Sequence, residues 1–171
     1  RRDLSRRLHK LARLFPLQDI VDERLDASRV QAYYRECHEA FRKHHSAEGA
    51  VHMAINEGGH FDPDGFAEHL RRIEARWMAD PPGDVLELGF GQGYNLSWLA
   101  RRHRSVHFEG IDLTPEHLAL AQAKIADAAL THVTLQLADM HVLPQADSSI
   151  DEAFAIEAFC HAGDVPRALS E

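Results

Sequence analysis

The chain has 171 residues, 44% of them apolar and 27% charged, with a formal net charge of −8. That length and composition fit one globular domain, and no apolar run approaches the ~18 residues of a membrane span. The acidic balance argues against a general nucleic-acid binder. Cys37 and Cys160 form neither a disulfide framework nor a ligand spacing, which makes a reducing cytoplasm the default compartment.

Leu4, Leu8, Leu11 and Phe15 recur at helical spacing, so residues 3–15 read as a short amphipathic helix that Pro16 ends. It is basic: six Lys and Arg residues stand against Asp3 in residues 1–14, a local +5 that leaves −13 on the remainder. Such a helix can touch an anionic membrane or a partner, or simply pack on its own protein with its arginines in water. A second helix is expected over 27–46, its buried stripe made by Val30, Tyr33 or Tyr34, Cys37 and Phe41. Gly49 to Gly65 is loop-like. A third helix follows over 65–79, with Phe66, Leu70, Ile73 and Trp77 on one face. Pro81-Pro82-Gly83 breaks the chain and marks the hinge between an N-terminal helical cap (residues 1–80) and an α/β core (81–171).

The core alternates. Residues 84–89 read as a buried strand, 92–103 as a helix and 106–111 as a strand. Thr114-Pro115 is a helix start, with Thr as N-cap and Pro in the first helical position, and its helix runs to about residue 129. Val133, Leu135 and Leu137 alternate with polar residues in a third strand, and a fourth covers about 151–157. Strands alternating with helices imply right-handed crossovers and a parallel, Rossmann-like sheet.

The most informative segment is Val85-Leu86-Glu87-Leu88-Gly89-Phe90-Gly91-Gln92-Gly93. An apolar strand ends in an acid and then in three alternating glycines at a helix start. Glycines let a ligand approach the backbone, and a helix N-terminus offers free N–H groups to an anionic end. Asp112, about 20 residues on, suits a ribose. The dinucleotide fingerprint is G-x-G-x-x-G; here the spacing is G-x-G-x-G with an acid two positions upstream. The sequence therefore resembles the class I S-adenosylmethionine-dependent methyltransferases, whose first motif has that form. The resemblance continues in order through Gly110-Ile111-Asp112, Ala138-Asp139-Met140, Leu143-Pro144 and Ser149-Ile150-Asp151. Ala155 to His161 is similar to the fourth-strand end of the sterol, tocopherol and small-molecule branch. It covers roughly residues 50–171.

The resemblance implies S-adenosylmethionine as cofactor. Gly89, Gly91 and Gly93 would let its amino-acid moiety approach closely. Glu87 would lie near its ammonium, directly or through water. Asp112 would accept the ribose hydroxyls, Asp139 would take the adenine amino group with the Met140 N–H on the ring, and Leu113 and Met140 would sandwich the base. Glu109 is a rival to Asp112, but strand alternation and its earlier position disfavour it. His161 and Glu157 lie where the branch presents its substrate and are the candidate catalytic pair, His161 as proton acceptor. Each also has a plain structural reading, as cap, loop or packing residue. Tyr33, Tyr34, His52 and His60 loosely match cap elements that wrap the cofactor. The thirteen histidines lack the spacing of a metal site, so no metal is expected.

The function expected is methyl transfer to a small-molecule acceptor, without nucleic acid or stable membrane insertion. A non-catalytic cofactor-binding or scaffold domain and a nicotinamide-dependent oxidoreductase remain alternatives. The acceptor atom is not legible. Neither is the oligomeric state, with a homodimer left open. The family's sheet has more than the four strands legible here, so these residues are expected to belong to a longer protein.

Overall fold

The computed structural model describes residues 2–14 and 26–171. Helix α1 spans Arg2–Leu14. Leu4, Leu8 and Leu11 are exposed, so its apolar stripe is not packed against the described residues. Phe15 and Pro16 lie outside them. Helix α2, Ala27–His44, is capped by Asp26, whose carboxylate accepts the Arg29 N–H. Of the two tyrosines, Tyr34 turns inward and Tyr33 outward.

The third expected helix divides. Asp62 caps a 3-10 turn, Pro63–Ala67, and α3 proper is Glu68–Trp77. Its stripe is as the periodicity requires: Phe66, Leu70 and Trp77 are buried and Ile73 packs against them. No helix among the described residues is long and apolar enough to cross a membrane.

Strands β1 (Asp84–Leu88), β2 (His107–Asp112), β3 (Val133–Leu137) and β4 (Glu152–Phe154) form one parallel sheet in the order β3-β2-β1-β4. Helices α4 (Tyr94–Arg102) and α5 (Pro115–Asp127) make the crossovers, and a one-turn α6 (Val165–Ala168) follows β4. Strand β4 is shorter than the 151–157 expected. It pairs only with β1, so just three residues are held in register, and Glu157 and His161 lie beyond it in a loop and a 3-10 turn. Leu137, the last of the alternating apolar residues at the other edge, is exposed. Thr114 occupies the N-cap position of α5, but its hydroxyl makes no capping bond; the Asp112 carboxylate accepts the Thr114 N–H instead.

Alternation divides the core. Val85, Phe108, Leu96 and Leu99 pack with α3, α4 and α5, while Leu86, Leu88, Ile111 and Met140 pack on the opposite face. Burial at ~25 cal/mol per Å² makes both clusters the main stabilising term. Successive strands extend to one side of β1 and β4 lies on the other, so the order reverses between β1 and β4. A crevice at the carboxyl ends of the strands opens at such a reversal.

Candidate functional site

Three backbone bends build the site. Gly89, Gly91 and Gly93 have φ of 77°, 54° and 76°, in the left-handed region that disfavours any residue with a Cβ. Their roles differ. Gly89 and Gly91 line a cavity of about 840 Å3 at the strand ends; Gly93 does not. A Cβ on Gly93 would stand 2.8 Å from the Ala121 Cβ and 3.0 Å from its Cα, so that glycine lets α4 and α5 meet.

Asp112 fastens the loop. One carboxylate oxygen accepts the Gly91 N–H at 2.8 Å and the other the Thr114 N–H at 2.8 Å. Each oxygen keeps a lone pair for a further donor. The residue is buried but lines the cavity. Glu109 faces away, accepting a bond from the Gln145 side chain at 2.8 Å, and is not on the cavity wall.

Glu87 is fully buried behind the glycine loop and does not line the cavity. It stands behind the cavity wall rather than on it. Its Oε1 accepts from the Asn95 amide at 2.7 Å, and its Oε2 has no partner. Burial pushes its carboxyl up to about 8, with Asp112 adding in the same direction and the Asn95 bond opposing.

Leu113, Asp139 and Met140 all line the cavity. One Asp139 oxygen accepts both the backbone N–H of His141 at 2.9 Å and its ring Nδ1 at 2.6 Å. Partial burial would raise this carboxyl, but the His141 bonds outweigh it and hold it low. The Leu113 carbonyl accepts from Gln31 of α2 at 2.7 Å, tying the helical cap to the end of β2.

Opposite stand His161 and Glu157, both on the cavity wall. His161 Nε2 lies 2.8 Å from the Tyr34 hydroxyl. Burial lowers the imidazole below its ordinary value, with Asp112 opposing, so it is neutral near pH 7. Glu157 adopts a φ of 53° and accepts the Met53 N–H at 3.1 Å. Tyr33 and His52 also line the cavity, whereas His60 does not. Among the described residues, no three His, Cys, Asp or Glu side chains gather as a metal site would require.

Two buried polar side chains escaped the sequence, His117 on the cavity wall and Asn95 behind it. His117 on α5 is buried with both ring nitrogens unpartnered, its Nδ1 3.4 Å from an Asp112 oxygen and the Tyr34 ring 5.2 Å away. Asn95 bridges Glu87 and His52 (2.7 and 2.9 Å). For Asn95, a polar residue within the apolar run of α4 was the available signal.

The comparisons agree with this geometry. Residues 85–171, half of the chain, match a family model described as a methyltransferase domain. The chain is 36% identical over 90 residues to the malonyl-[acyl-carrier protein] O-methyltransferase of Halorhodospira halophila, covering 53% of this chain and 30% of that protein. It is 33% identical over 100 residues to the O-methyltransferase resE of Aspergillus sclerotiorum, covering 58% and 38%. It thus spans about a third of the length of these curated relatives. Among solved structures, the [4+2]-cyclase SpnF superposes with a TM-score of 0.76 at 20% identity, over 84% of this chain and 53% of that one. A SAM-dependent methyltransferase from Aquifex aeolicus superposes with a TM-score of 0.56 at 21% identity, over 64% and 60%. These two likenesses speak to the fold alone. With the family match over half of its length and the acid–glycine motif at the head of the crevice, the chain belongs to the methyltransferase-domain family.

Proposed function

We propose that the protein to which this chain belongs transfers a methyl group from S-adenosylmethionine to a small-molecule acceptor, and that the cavity between the glycine loop and His161 is where it does so. The observation that carries this reading is the convergence on one cavity of Gly89, Gly91, Asp112, Asp139, His161 and Glu157. The donor set fits the cofactor: two bare glycine backbones, Asp112 oxygens with lone pairs to spare, and an unpartnered His117 imidazole.

When bound, the cofactor supplies an electrophilic methyl on a sulfonium. The remaining work belongs to the protein. Gly89 and Gly91 would admit the amino-acid end, with Glu87 behind them acting through the loop or a water. Asp112 would accept the ribose hydroxyls, each such bond to a charged acceptor worth roughly 1.5–3 kcal/mol. Leu113 and Met140 would enclose the base, and Asp139 would accept its amino group on the oxygen that His141 leaves free. Holding two reactants in line can contribute on the order of 7–11 kcal/mol.

His161, neutral near pH 7, would be the group that takes the acceptor's proton. Tyr34 holds its ring through the hydroxyl bond. Glu157 orients the acceptor from the neighbouring wall. Oxygen acceptors are the first to test, since three of the relatives are named O-methyltransferases. A cytoplasmic location and a homodimer are further parts of this proposal. The test is isotopic methyl transfer to a panel of phenols, carboxylic acids and amines. Labelled product supports the reading; tight cofactor binding with no transfer to any class would favour a binding or scaffold domain.

A further inference from the structure

Behind the glycine loop, three side chains from three segments form a continuous polar chain. Glu87 Oε1 meets the Asn95 amide at 2.7 Å, the other end of that amide meets His52 Nε2 at 2.9 Å, and His52 Nδ1 meets the Met53 carbonyl at 3.1 Å. Glu87, Asn95 and His52 are all buried, and His52 alone reaches the cavity. The terminal carbonyl accepts only, so the donors along the chain can be counted.

With the carboxyl protonated, its O–H donates to the Asn95 carbonyl, the Asn95 NH2 donates to a bare Nε2, and the Nδ1–H donates to Met53. Every group is satisfied. With the carboxyl ionised, Asn95 must turn its NH2 to the carboxylate, and its carbonyl then faces Nε2. Two acceptors cannot be left facing each other in a buried site, because an unmet polar group costs about 1–3 kcal/mol. Nε2 must then carry a proton.

We propose that Glu87, Asn95 and His52 titrate as one unit, in which ionisation of the buried carboxyl turns the Asn95 amide and puts a proton on His52 Nε2. His52 is thereby a positioning residue for the acid of the cofactor seat. The proton balance closes with one proton lost to solvent: the single imidazole proton moves from Nδ1 to Nε2, and the one unmet acceptor contact shifts from the buried Asn95 amide to the exposed Met53, whose carbonyl also faces His69 Nε2 at 3.2 Å. The groups facing the unit act on both ends. Burial and the His69 ring, 4.9 Å away on α3, disfavour an imidazolium, while Glu157, bonded to Met53 N, favours it. The His45 ring lies against the His52 carbonyl, and Tyr94 and Phe66 close the apolar side. Asp112 disfavours ionisation of Glu87. The consequence for the cofactor rests on the functional reading above: a cationic amino end at the glycine loop draws the unit into its ionised arrangement.

The first arm needs no cofactor. Side-chain 15N and 13C NMR on the full chain, titrated from pH 6 to 9.5, should show His52 passing from the Nδ1–H form to one protonated at Nε2. Its midpoint should equal that of the Glu87 carboxyl carbon. In Asn95→Leu and in Glu87→Gln the passage should disappear. Nε2–H already present while Glu87 is protonated, unequal midpoints, or a passage surviving in Glu87→Gln would each overturn the proposal.

The second arm measures S-adenosylhomocysteine affinity at pH 7.5. His52→Leu should weaken it about tenfold, one such factor being ~1.4 kcal/mol. His52→Gln, whose amide can face Asn95 either way, should stay within about threefold of wild type. Equal losses in the two variants would overturn the coupling. No binding to the wild type would instead sink the cofactor reading, with the NMR arm still deciding the proposal.

Discussion

Tyr34 of α2 and His161 of the turn after β4 are 127 positions apart in the chain, yet hydroxyl and Nε2 meet at 2.8 Å across the cavity. The contact joins the helical cap to the sheet at the place where an acceptor would lose its proton. Burial raises the Tyr34 hydroxyl above its ordinary value, so it remains protonated through the neutral range. His161→Ala should lower kcat by about 10²- to 10⁴-fold, the usual range for a lost acid–base group. Tyr34→Phe should lower it about tenfold with cofactor affinity unchanged. The competent form is the neutral imidazole, and burial depresses its titration. The rate should therefore rise with pH below the usual histidine range and be flat from pH 7 to 8. Unchanged kcat in both variants would place proton removal elsewhere.

Asp112 and Glu109 make a decisive pair. Asp112→Ala removes the proposed ribose acceptor and also orphans the Gly91 and Thr114 N–H groups. It should weaken S-adenosylhomocysteine by at least about a hundredfold, near 2.7 kcal/mol. Glu109→Ala frees only Gln145 and should change affinity less than about threefold. Isothermal titration of both variants decides it, and equal losses would mean the wrong acid is assigned.

Glu87 carries a stability cost that depends on pH. Its carboxyl rises from an ordinary 4.5 unfolded to about 8 folded. The folded state binds the proton more tightly, so the stabilising linkage is full below pH 4.5 and is lost as pH rises through 8. Glu87→Gln should abolish that slope. The variant should be the more stable at pH 9, by on the order of 3 to 5 kcal/mol, and close to wild type at pH 5. Urea denaturation at the two pH values checks this. The same gain at both would mean that the carboxyl is ionised in the fold at all pH values.

Gly93→Ala should be more damaging to stability than Gly91→Ala. It combines a φ of 76° with a Cβ 3.0 Å from the Ala121 backbone. A destabilisation of about 2–4 kcal/mol is expected from left-handed strain plus overpacking. Gly91→Ala meets only the Val51 side chain, at 3.0 Å, and should cost less stability. A reversed order in denaturant midpoints would refute the separate roles assigned to the two glycines.

What the sequence disclosed follows from what has a period. The stripe of Phe66, Leu70, Ile73 and Trp77 is a helical signal that survives any tertiary context. The glycine loop and Asp112 are local chemistry read straight from residue type. Strand β4 was overextended because one-sided pairing, not composition, sets its end. Thr114 and Pro115 stand where the start signal puts them, as N-cap and first helical residue, but the Thr114 hydroxyl makes no capping bond and its own N–H is tied back to Asp112. Tyr33 and Tyr34 were indistinguishable until packing turned one inward. Glu87 was recognised as the motif's acid, but its screening by the loop was not. Asn95 and His117 went unread because a lone polar residue on a helix ordinarily faces water, and burial is a property of the neighbours.

The central claim is that the bend formed by Gly89 and Gly91, with Asp112 beside it, seats an adenosyl cofactor. Calorimetric titration of the chain with S-adenosylhomocysteine and, separately, with NAD tests it most directly. The account predicts saturable one-to-one binding of S-adenosylhomocysteine, lost in Asp112→Ala, and no heat with NAD. Saturable NAD binding with none of S-adenosylhomocysteine would contradict it.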